Sequence, residues 1–167
     1  METGTYRLLR EIDAMLRVKH LLADKGAAVW SIGPSQSVYQ AIEMMALKSV
    51  GALTVLNDAG ELVGIISERD YARKVILNGK SSKDTQVDAI MTRKLTTIGA
   101  NARIEECLAL MTEKHIRHLP VLDAEQLIGM ISVGDLVKSI ISEQDHKIEQ
   151  LERYVRGEEA GSLPPET

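Results

Sequence analysis

Gly64-Ile-Ile-Ser-Glu-Arg-Asp70 is followed, 65 residues later, by Gly129-Met-Ile-Ser-Val-Gly-Asp135. Glycine, isoleucine, serine and aspartate occupy the same places in both segments. The similarity extends toward the N-terminus, where residues 29–58 align with residues 95–124 at an offset of 66. A one-residue deletion in the turn between two strands explains the change of offset. The chain therefore contains two copies of one supersecondary unit.

Each copy is predicted to run strand, helix, strand, strand, helix. Ser37 and Gln40 form a capping-box pattern, and apolar residues follow at the spacing of one helical face. The aliphatic runs 52–56 and 62–66 are joined by Asn57-Asp58-Ala59-Gly60, which is typical of a turn between paired strands. Second helices are predicted from Glu68 to about Leu77 and from Val133 to about Ser142. The fold class is therefore α/β (α+β).

Helices are also predicted outside the repeats. One covers Tyr6–Ala23 and ends at Gly26, and another carries Ile148, Leu151 and Val155 among charged residues. The second helix suits contact with a surface or with a second subunit, and a frayed helix exposed to solvent is the alternative. The predicted divisions are an N-terminal helix in 1–26, repeat 1 in 27–78, a linker in 79–92, repeat 2 in 93–143, a C-terminal helix in 144–156 and a disordered tail in 157–167.

Composition restricts the possible functions. A net charge of −4 argues against nucleic acid as the main partner. No apolar run is long enough to span a membrane, and the N-terminus lacks a signal peptide, so we expect a cytoplasmic protein without membrane contact. Cys107 is the only cysteine and lies on an apolar helical face, which predicts a buried small residue.

The repeated Ser and Asp have two interpretations. Serine at the start of a helix with aspartate three residues later is close to a capping box, which stabilises a helix by about 1 kcal/mol. The same junction between strand and helix can bind phosphate, and its carboxylate can accept hydrogen bonds from ribose hydroxyls. The pattern alone leaves both open.

The sequence resembles a tandem pair of cystathionine β-synthase (CBS) domains over about residues 20–143. The resemblance depends on the two Gly…Ser…Asp segments together with three others. These are Val50-Gly-Ala-Leu-Thr-Val55, Ile116-Arg-His-Leu-Pro-Val121 and Asp88-Ala-Ile-Met-Thr92. Repeat 2 departs from the family pattern at Ala100, where repeat 1 has Pro34. The resemblance implies two β-α-β-β-α repeats about a pseudo-twofold axis, with two clefts for adenosine ligands.

Carried over by position, the resemblance implies residues for each cleft. The first cleft would use Ser31, Val50, Gly51, Ala52, Arg117, Met130, Ser132 and Asp135. Ser132 and Asp135 would bind phosphate and ribose, and the backbone at 50–52 would recognise the adenine edge. The second cleft would use Ser67, Arg69, Asp70, Thr97, Ile116 and His118. Because Arg117 and His118 replace Gly51 and Ala52 there, the first cleft is ranked above the second.

The resemblance implies a regulatory module without catalytic activity. Its ligand would be AMP, ADP, ATP or NAD(H), and occupancy would change the conformation or the oligomer for a partner protein to read. Arg69, Arg117 and His118 favour a phosphate-bearing ligand over cationic S-adenosylmethionine. A homodimer is expected. The alternative is a dimeric scaffold with vestigial clefts.

Neither an enzyme nor a metal site is predicted. No activated nucleophile, general base or glycine-rich phosphate loop is recognisable. His115 and His118 are three residues apart on a strand approach, where they do not face one way. The methionines are interpreted as core or pocket lining.

Overall fold

The structure is a computed structural model that describes residues 16–26 and 28–156. The predicted tail at 157–167 and residues 6–15 of the predicted N-terminal helix lie outside this range. The helices are α1 (Val18–Lys25), α2 (Val38–Lys48), α3 (Glu68–Asp70), α4 (Val87–Ile90), α5 (Ile104–Lys114) and α6 (Val133–Arg156). The strands are β1 (Ser31–Ile32), β2 (Ala52–Leu56), β3 (Leu62–Ser67), β4 (Ile98–Gly99), β5 (His118–Asp123) and β6 (Gln126–Ser132).

Two three-stranded sheets carry the repeats, which confirms the predicted mixed fold. Their orders are β1-β2-β3 and β4-β5-β6, with the first pair parallel and the second antiparallel in each. The register shifts between Val55 and Leu56 in one sheet and between Val121 and Leu122 in the other. The same irregularity at the same offset shows that the repeat is structural as well as sequential.

Each repeat has its own hydrophobic core. The buried residues Val38, Met45, Leu53 and Ile66 belong to the first core. Helix α4 closes this core with Val87, Ile90 and Met91. The second core contains Ile104, Cys107, Met111, Leu119, Ile131 and Leu136, and α1 closes it with Val18, Leu21 and Leu22. The burial predicted for Cys107 is confirmed.

Helices α1 and α4 occupy equivalent positions, so α1 belongs with repeat 2 in space. Val18 N–H donates to Ala102 O at 2.9 Å and Lys19 N–H donates to Ala100 O at 2.8 Å. At the matching places of repeat 1, Val87 N–H donates to Gln36 O at 2.9 Å and Asp88 N–H donates to Pro34 O at 3.0 Å. The sequence analysis had placed this helix outside the repeats.

The two second helices differ from prediction. In repeat 1, α3 has a single turn, whose predicted Ser67–Asp70 cap is present, and the chain continues as a π-helix over Tyr71–Ile76. In repeat 2, the predicted second helix and C-terminal helix are one continuous 24-residue helix. No glycine or proline interrupts residues 135–156, so nothing in the backbone ends the helix near Ser142. None of the described helices is both long and apolar enough to cross a bilayer.

Candidate functional site

A cavity of about 340 Å³ lies where the two repeats meet. Repeat 1 contributes the end of β3 and the turn of α3, at residues 67–70, together with Gly51, Ile65 and Arg73. The segment after α4 contributes residues 92 and 94–96, and repeat 2 contributes residues 115–118. The volume is at the lower end of the range found for small-molecule sites. We call this space the Asp70 cavity.

Four permanent cations line the Asp70 cavity: Arg69, Arg73, Lys94 and Arg117. Arg69 crosses between the repeats, because its guanidinium donates to His115 O at 3.1 Å. Within the described part of the chain, the side chains of Arg73, Lys94 and Arg117 have no hydrogen-bond or ion-pair partner. Among the described residues of the lining, Glu68 and Asp70 are the only acidic ones. The cavity therefore has an excess of positive charge that an anion can neutralise.

Asp70 is held in place by its own helix turn. Its Oδ2 accepts hydrogen bonds from Ser67 N–H at 3.0 Å and from Ser67 Oγ at 2.9 Å. Lys74 Nζ lies 2.8 Å from Oδ1, and the carboxylate is mostly buried. This is the capping arrangement allowed by the sequence pattern. It also compensates the charge of Asp70, which leaves Glu68 as the only acid in the cavity without such compensation.

Asp135 forms a similar cap in repeat 2, with a different cation. Ser132 N–H donates to Asp135 Oδ2 at 2.8 Å, and Lys25 Nζ from α1 lies 2.7 Å from the same oxygen. Lys25 Nζ also donates to Met130 O at 2.8 Å. Burial alone would raise the pKa of Asp135, but the Lys25 and Ser132 hydrogen bonds outweigh burial and lower it. Asp135 is thus a carboxylate that the chain itself neutralises.

Asp135 faces a second cavity, of about 680 Å³, between α1 and α6. Residues 16–25 line one side, and α6 lines the other from Asp135 to Gln150. Of the residues predicted for the first cleft, only Asp135 lines this cavity, while Gly51 and Arg117 line the Asp70 cavity. Neither of these two cavities is lined by the full set of residues predicted for the first cleft.

His118 lines the Asp70 cavity and lies close to Gly51 of repeat 1. Its ring is 3.5 Å from the point where a side chain on Gly51 would begin. Burial is the main cause that lowers the pKa of His118. The positive charges of Lys25 and Arg117 lower this pKa further, whereas the negative charge of Asp135 raises it. His118 is therefore mostly neutral at pH 7 and, in contrast to the prediction from sequence, adds little positive charge for a phosphate. Arg73 and Lys94 provide positive charge instead.

Some of the groups predicted to contact adenine already have partners within the chain. Val50 N–H donates to Met45 O at 3.0 Å, and Gly51 O accepts from Glu68 N–H at 3.0 Å. Ser31 Oγ lies 2.6 Å from Thr54 Oγ1 on the neighbouring strand. A ligand in this region would have to share these groups or use the remaining Gly51 N–H and Val50 C=O.

Most residues predicted for the second cleft do come together. Ser67, Arg69, Asp70, Ile116 and His118 all line the Asp70 cavity, whereas Thr96 takes the place predicted for Thr97. Sequence reasoning missed Arg73, Lys94 and Lys25. Lys25 and Lys94 could have been found by extending the repeat, because Val18-Lys-His-Leu-Leu-Ala-Asp-Lys25 aligns with Val87-Asp-Ala-Ile-Met-Thr-Arg-Lys94 at an offset of 69.

Comparison with known families agrees with this architecture. The model of the CBS domain matches twice, at residues 26–76 and 87–142. The chain belongs to the CBS domain family. Because the family model matches two consecutive segments, the chain is a CBS-domain pair. The first segment includes Ser67 and Asp70, and the second includes Ser132 and Asp135.

Similar proteins include other CBS-domain chains. The chain is 38% identical over 150 residues to the mitochondrial CBS domain-containing protein CBSX3 of Arabidopsis thaliana, covering 87% of this chain and 72% of CBSX3. It is 49% identical to a CBS-domain protein of Burkholderia ambifaria MC40-6 ascribed to signal transduction, with a TM-score of 0.72 over 76% of this chain and 94% of the other.

A more distant structure shares the fold. The CBS domain pair of MJ0100 is 22% identical and superposes with a TM-score of 0.68 over 77% of this chain and 98% of its own. Its crystal structure contains 5′-methylthioadenosine and S-adenosyl-L-methionine.

Proposed function

We propose that this CBS-domain pair is a non-catalytic regulatory module that binds an adenosine nucleotide in the Asp70 cavity. The observation that carries the proposal is the group of four cations around a space built from both repeats. Charged donors of this kind form the strongest hydrogen bonds to phosphate oxygens. The adenosine ligands of the MJ0100 pair support an adenosine compound as the class of ligand.

The cation group also bears on which adenosine compound binds. Since Lys74 compensates Asp70, the cavity favours ligands with negative charge, such as AMP, ADP, ATP or NAD(H). S-adenosylmethionine carries a sulfonium cation, which four neighbouring cations would repel. Phosphates would contact Arg117 and Lys94, and the ribose would lie toward Asp70.

Binding in this cavity would connect the repeats. Arg69, Arg73 and Asp70 belong to repeat 1, whereas residues 115–118 belong to repeat 2. A ligand that contacts both sides stabilises one relative arrangement of the repeats over others. A partner protein could read that arrangement, and homodimerisation would place two such modules together.

The Asp135 side of the molecule requires a further step before it can bind ribose. A ligand hydroxyl would have to compete with Lys25 for Asp135 Oδ2. At Asp70 a hydroxyl would likewise compete with Lys74, but the Asp70 cavity also has Arg73, Lys94 and Arg117 in its lining. For this reason we rank the Asp70 cavity first for nucleotide binding, the reverse of the order favoured by sequence alone.

One observation favours the alternative scaffold function. Both aspartates already have partners within the chain, Asp70 with Ser67 and Lys74, and Asp135 with Ser132 and Lys25. If capping is the whole role of these residues, the module would dimerise without binding nucleotide.

Isothermal titration of the full chain with AMP, ADP, ATP, NAD, NADH and S-adenosylmethionine separates these functions. The variants Lys94→Ala and Arg117→Ala each remove one charged donor and should weaken phosphate-ligand binding by about 10- to 100-fold. Lys138→Ala, in the second cavity, is the matched control and should leave affinity unchanged. If all three variants bound the ligand as tightly as the parent chain does, the ligand would lie outside the Asp70 cavity. If no compound gave a heat of binding, the scaffold function would be favoured.

A further inference from the structure

Helix α6 carries an apolar stripe on its exposed side. Starting at Val137, the positions of this stripe follow one another at spacings of 4, 3, 4, 3 and 4 residues. The residues at these positions are Val137, Ile141, Gln144, Ile148, Leu151 and Val155. The five apolar ones are between 43% and 83% exposed. This spacing is the heptad repeat of a coiled coil rather than the period of a straight helix.

The stripe is distinct from the face of α6 that packs on its own domain. Leu136 is fully buried, and Ile140 and Val133 pack against the second core. Residues 151–156 at the end of the helix are all exposed. The apolar stripe is therefore available to a second helix.

We propose that a second copy of this chain covers the stripe, and that the two α6 helices form a parallel, in-register coiled coil. In heptad terms, Ile141, Ile148 and Val155 take the a position, and Val137, Gln144 and Leu151 take the d position. β-Branched residues at a, as at all three a positions here, with leucine at d, as at Leu151, favour two-stranded parallel coiled coils. The stripe is thus suited to an identical helix.

Gln144 selects the parallel orientation. In a parallel pair in register, Gln144 faces the partner's Gln144, and the two amides can hydrogen-bond to each other. In an antiparallel pair with the same overlap, Gln144 would face the partner's Ile148. In that arrangement each of the two Gln144 amides would be buried against isoleucine without a hydrogen-bond partner, which costs free energy that the parallel pair does not lose.

The flanking charges agree with this orientation. A parallel pair brings Lys147, at a g position, close to the partner's Glu152 at an e position. An antiparallel pair would instead set Lys147 beside the partner's Lys147 and Asp145 beside the partner's Asp145. In the single chain, Lys147 Nζ lies 3.1 Å from Glu143, a neighbour one turn earlier, so Glu152 would add a second acidic neighbour.

Light scattering and sedimentation of the full chain, over a range of concentrations and without nucleotide, test the interface. Ile148→Asp should raise the dimer dissociation constant by about 10-fold or more, because it places a charge in the centre of the apolar stripe. Leu77→Asp changes another exposed leucine, outside α6, and should have no effect. A chain that is monomeric throughout, or a dimer lost with Leu77→Asp and kept with Ile148→Asp, would overturn the proposal.

Disulfide trapping tests the orientation. Leu151→Cys should form a covalent dimer on mild oxidation, because equivalent d positions are adjacent in a parallel pair. The parent chain is the control, since its single Cys107 is buried. In an antiparallel pair, the two 151 positions would be about 15 Å apart along the axis, beyond the reach of a disulfide. Trapping only between mixed Ile141→Cys and Leu151→Cys chains would contradict the parallel arrangement. These results do not depend on nucleotide binding.

Discussion

Lys25 Nζ lies 2.7 Å from Asp135 Oδ2 and joins the N-terminal helix to the first turn of the longest helix. The same ammonium also donates to Met130 O, at the end of the last strand. In repeat 1, the equivalent lysine by alignment is Lys94, which lines the Asp70 cavity without an ion-pair partner among the described residues. The two sides of the pair therefore differ. Lys25 forms an ion pair with Asp135, whereas Lys94 remains in the lining of the Asp70 cavity as a positive charge without an ion-pair partner among the described residues.

Replacing Lys25 by methionine should lower the free energy of unfolding by about 0.5–1 kcal/mol, a modest effect because the ammonium is partly exposed. The pKa of Asp135 should rise, since its main stabilising hydrogen bond is lost. Urea unfolding and carboxyl NMR titration measure the two effects. Lys19→Met, at an exposed site of the same helix, is the control, and equal results for both variants would refute the role of the ion pair.

His118 should make stability depend on pH near neutrality. Burial lowers its pKa below the ordinary value of 6.5, so the unfolded chain takes up the proton first as pH falls. The free energy of unfolding should be at its full value above pH 6.5 and decrease as pH falls below that value through the folded pKa. Asp135, whose pKa is also lowered, should add a loss only at more acidic pH, below its ordinary value of 3.8.

Urea unfolding at several pH values between 8 and 5 checks this dependence. His118→Gln should flatten the profile in this range, because it removes the group that takes up its proton at a different pH in the folded and the unfolded chain. A profile that is unchanged in His118→Gln would mean that this ring is accessible to water in the folded chain.

Gly129 tests the contact between α1 and repeat 2. A methyl group at position 129 would lie 2.6 Å from Leu22 Cδ2, closer than carbon atoms can approach. Gly129→Ala should therefore destabilise the protein by about 1–3 kcal/mol. Gly99→Ala, where the new methyl group would meet nothing within 4 Å, should have little effect.

Removal of the clashing side chain should identify the cause. Adding Leu22→Ala to Gly129→Ala should cost less than the sum of the two single substitutions, as thermal or urea unfolding can show. Strict additivity of the two changes would mean that α1 does not pack on β6 in solution.

Ser49 ends helix α2 in the left-handed conformation, at φ 54° and ψ 44°. A residue with a β-carbon is strained there, and glycine is not, so Ser49→Gly should raise the free energy of unfolding by up to about 1 kcal/mol. Lys48→Gly, one residue earlier and inside the helix, should lower it by about 1 kcal/mol. Chemical unfolding of both variants decides the matter, and a loss of stability in Ser49→Gly would show that this helix end is not left-handed.

The regular parts of the fold could be predicted because their signals are local. Aliphatic runs place β2 and β3, helical hydrophobic patterns place α2 and α5, and the Ser37 cap forms as its spacing predicts. The offset of 65 also identifies Ser67 and Asp70 as counterparts of Ser132 and Asp135. Such features depend on residues close together in the chain.

What was missed depends on contacts between distant segments. The alignment of α1 with α4 needs a shift of offset from 66 to 69, and few residues match, so the helix seemed to lie outside the repeats. An extended alignment identifies Lys25 as the counterpart of Lys94, but its pairing with Asp135 depends on the packing of α1 against repeat 2, which the alignment does not show. The neutral state of His118 follows from its burial between the repeats, which no pattern in one strand can reveal.

Photo-crosslinking with 8-azido-ATP, followed by peptide mapping, tests the central claim most directly because it reports which cavity holds the base. We predict an adduct on residues 92–96 or 115–118 that excess ATP prevents. An adduct confined to α1 and α6, or one that ATP does not prevent, would contradict nucleotide binding in the Asp70 cavity.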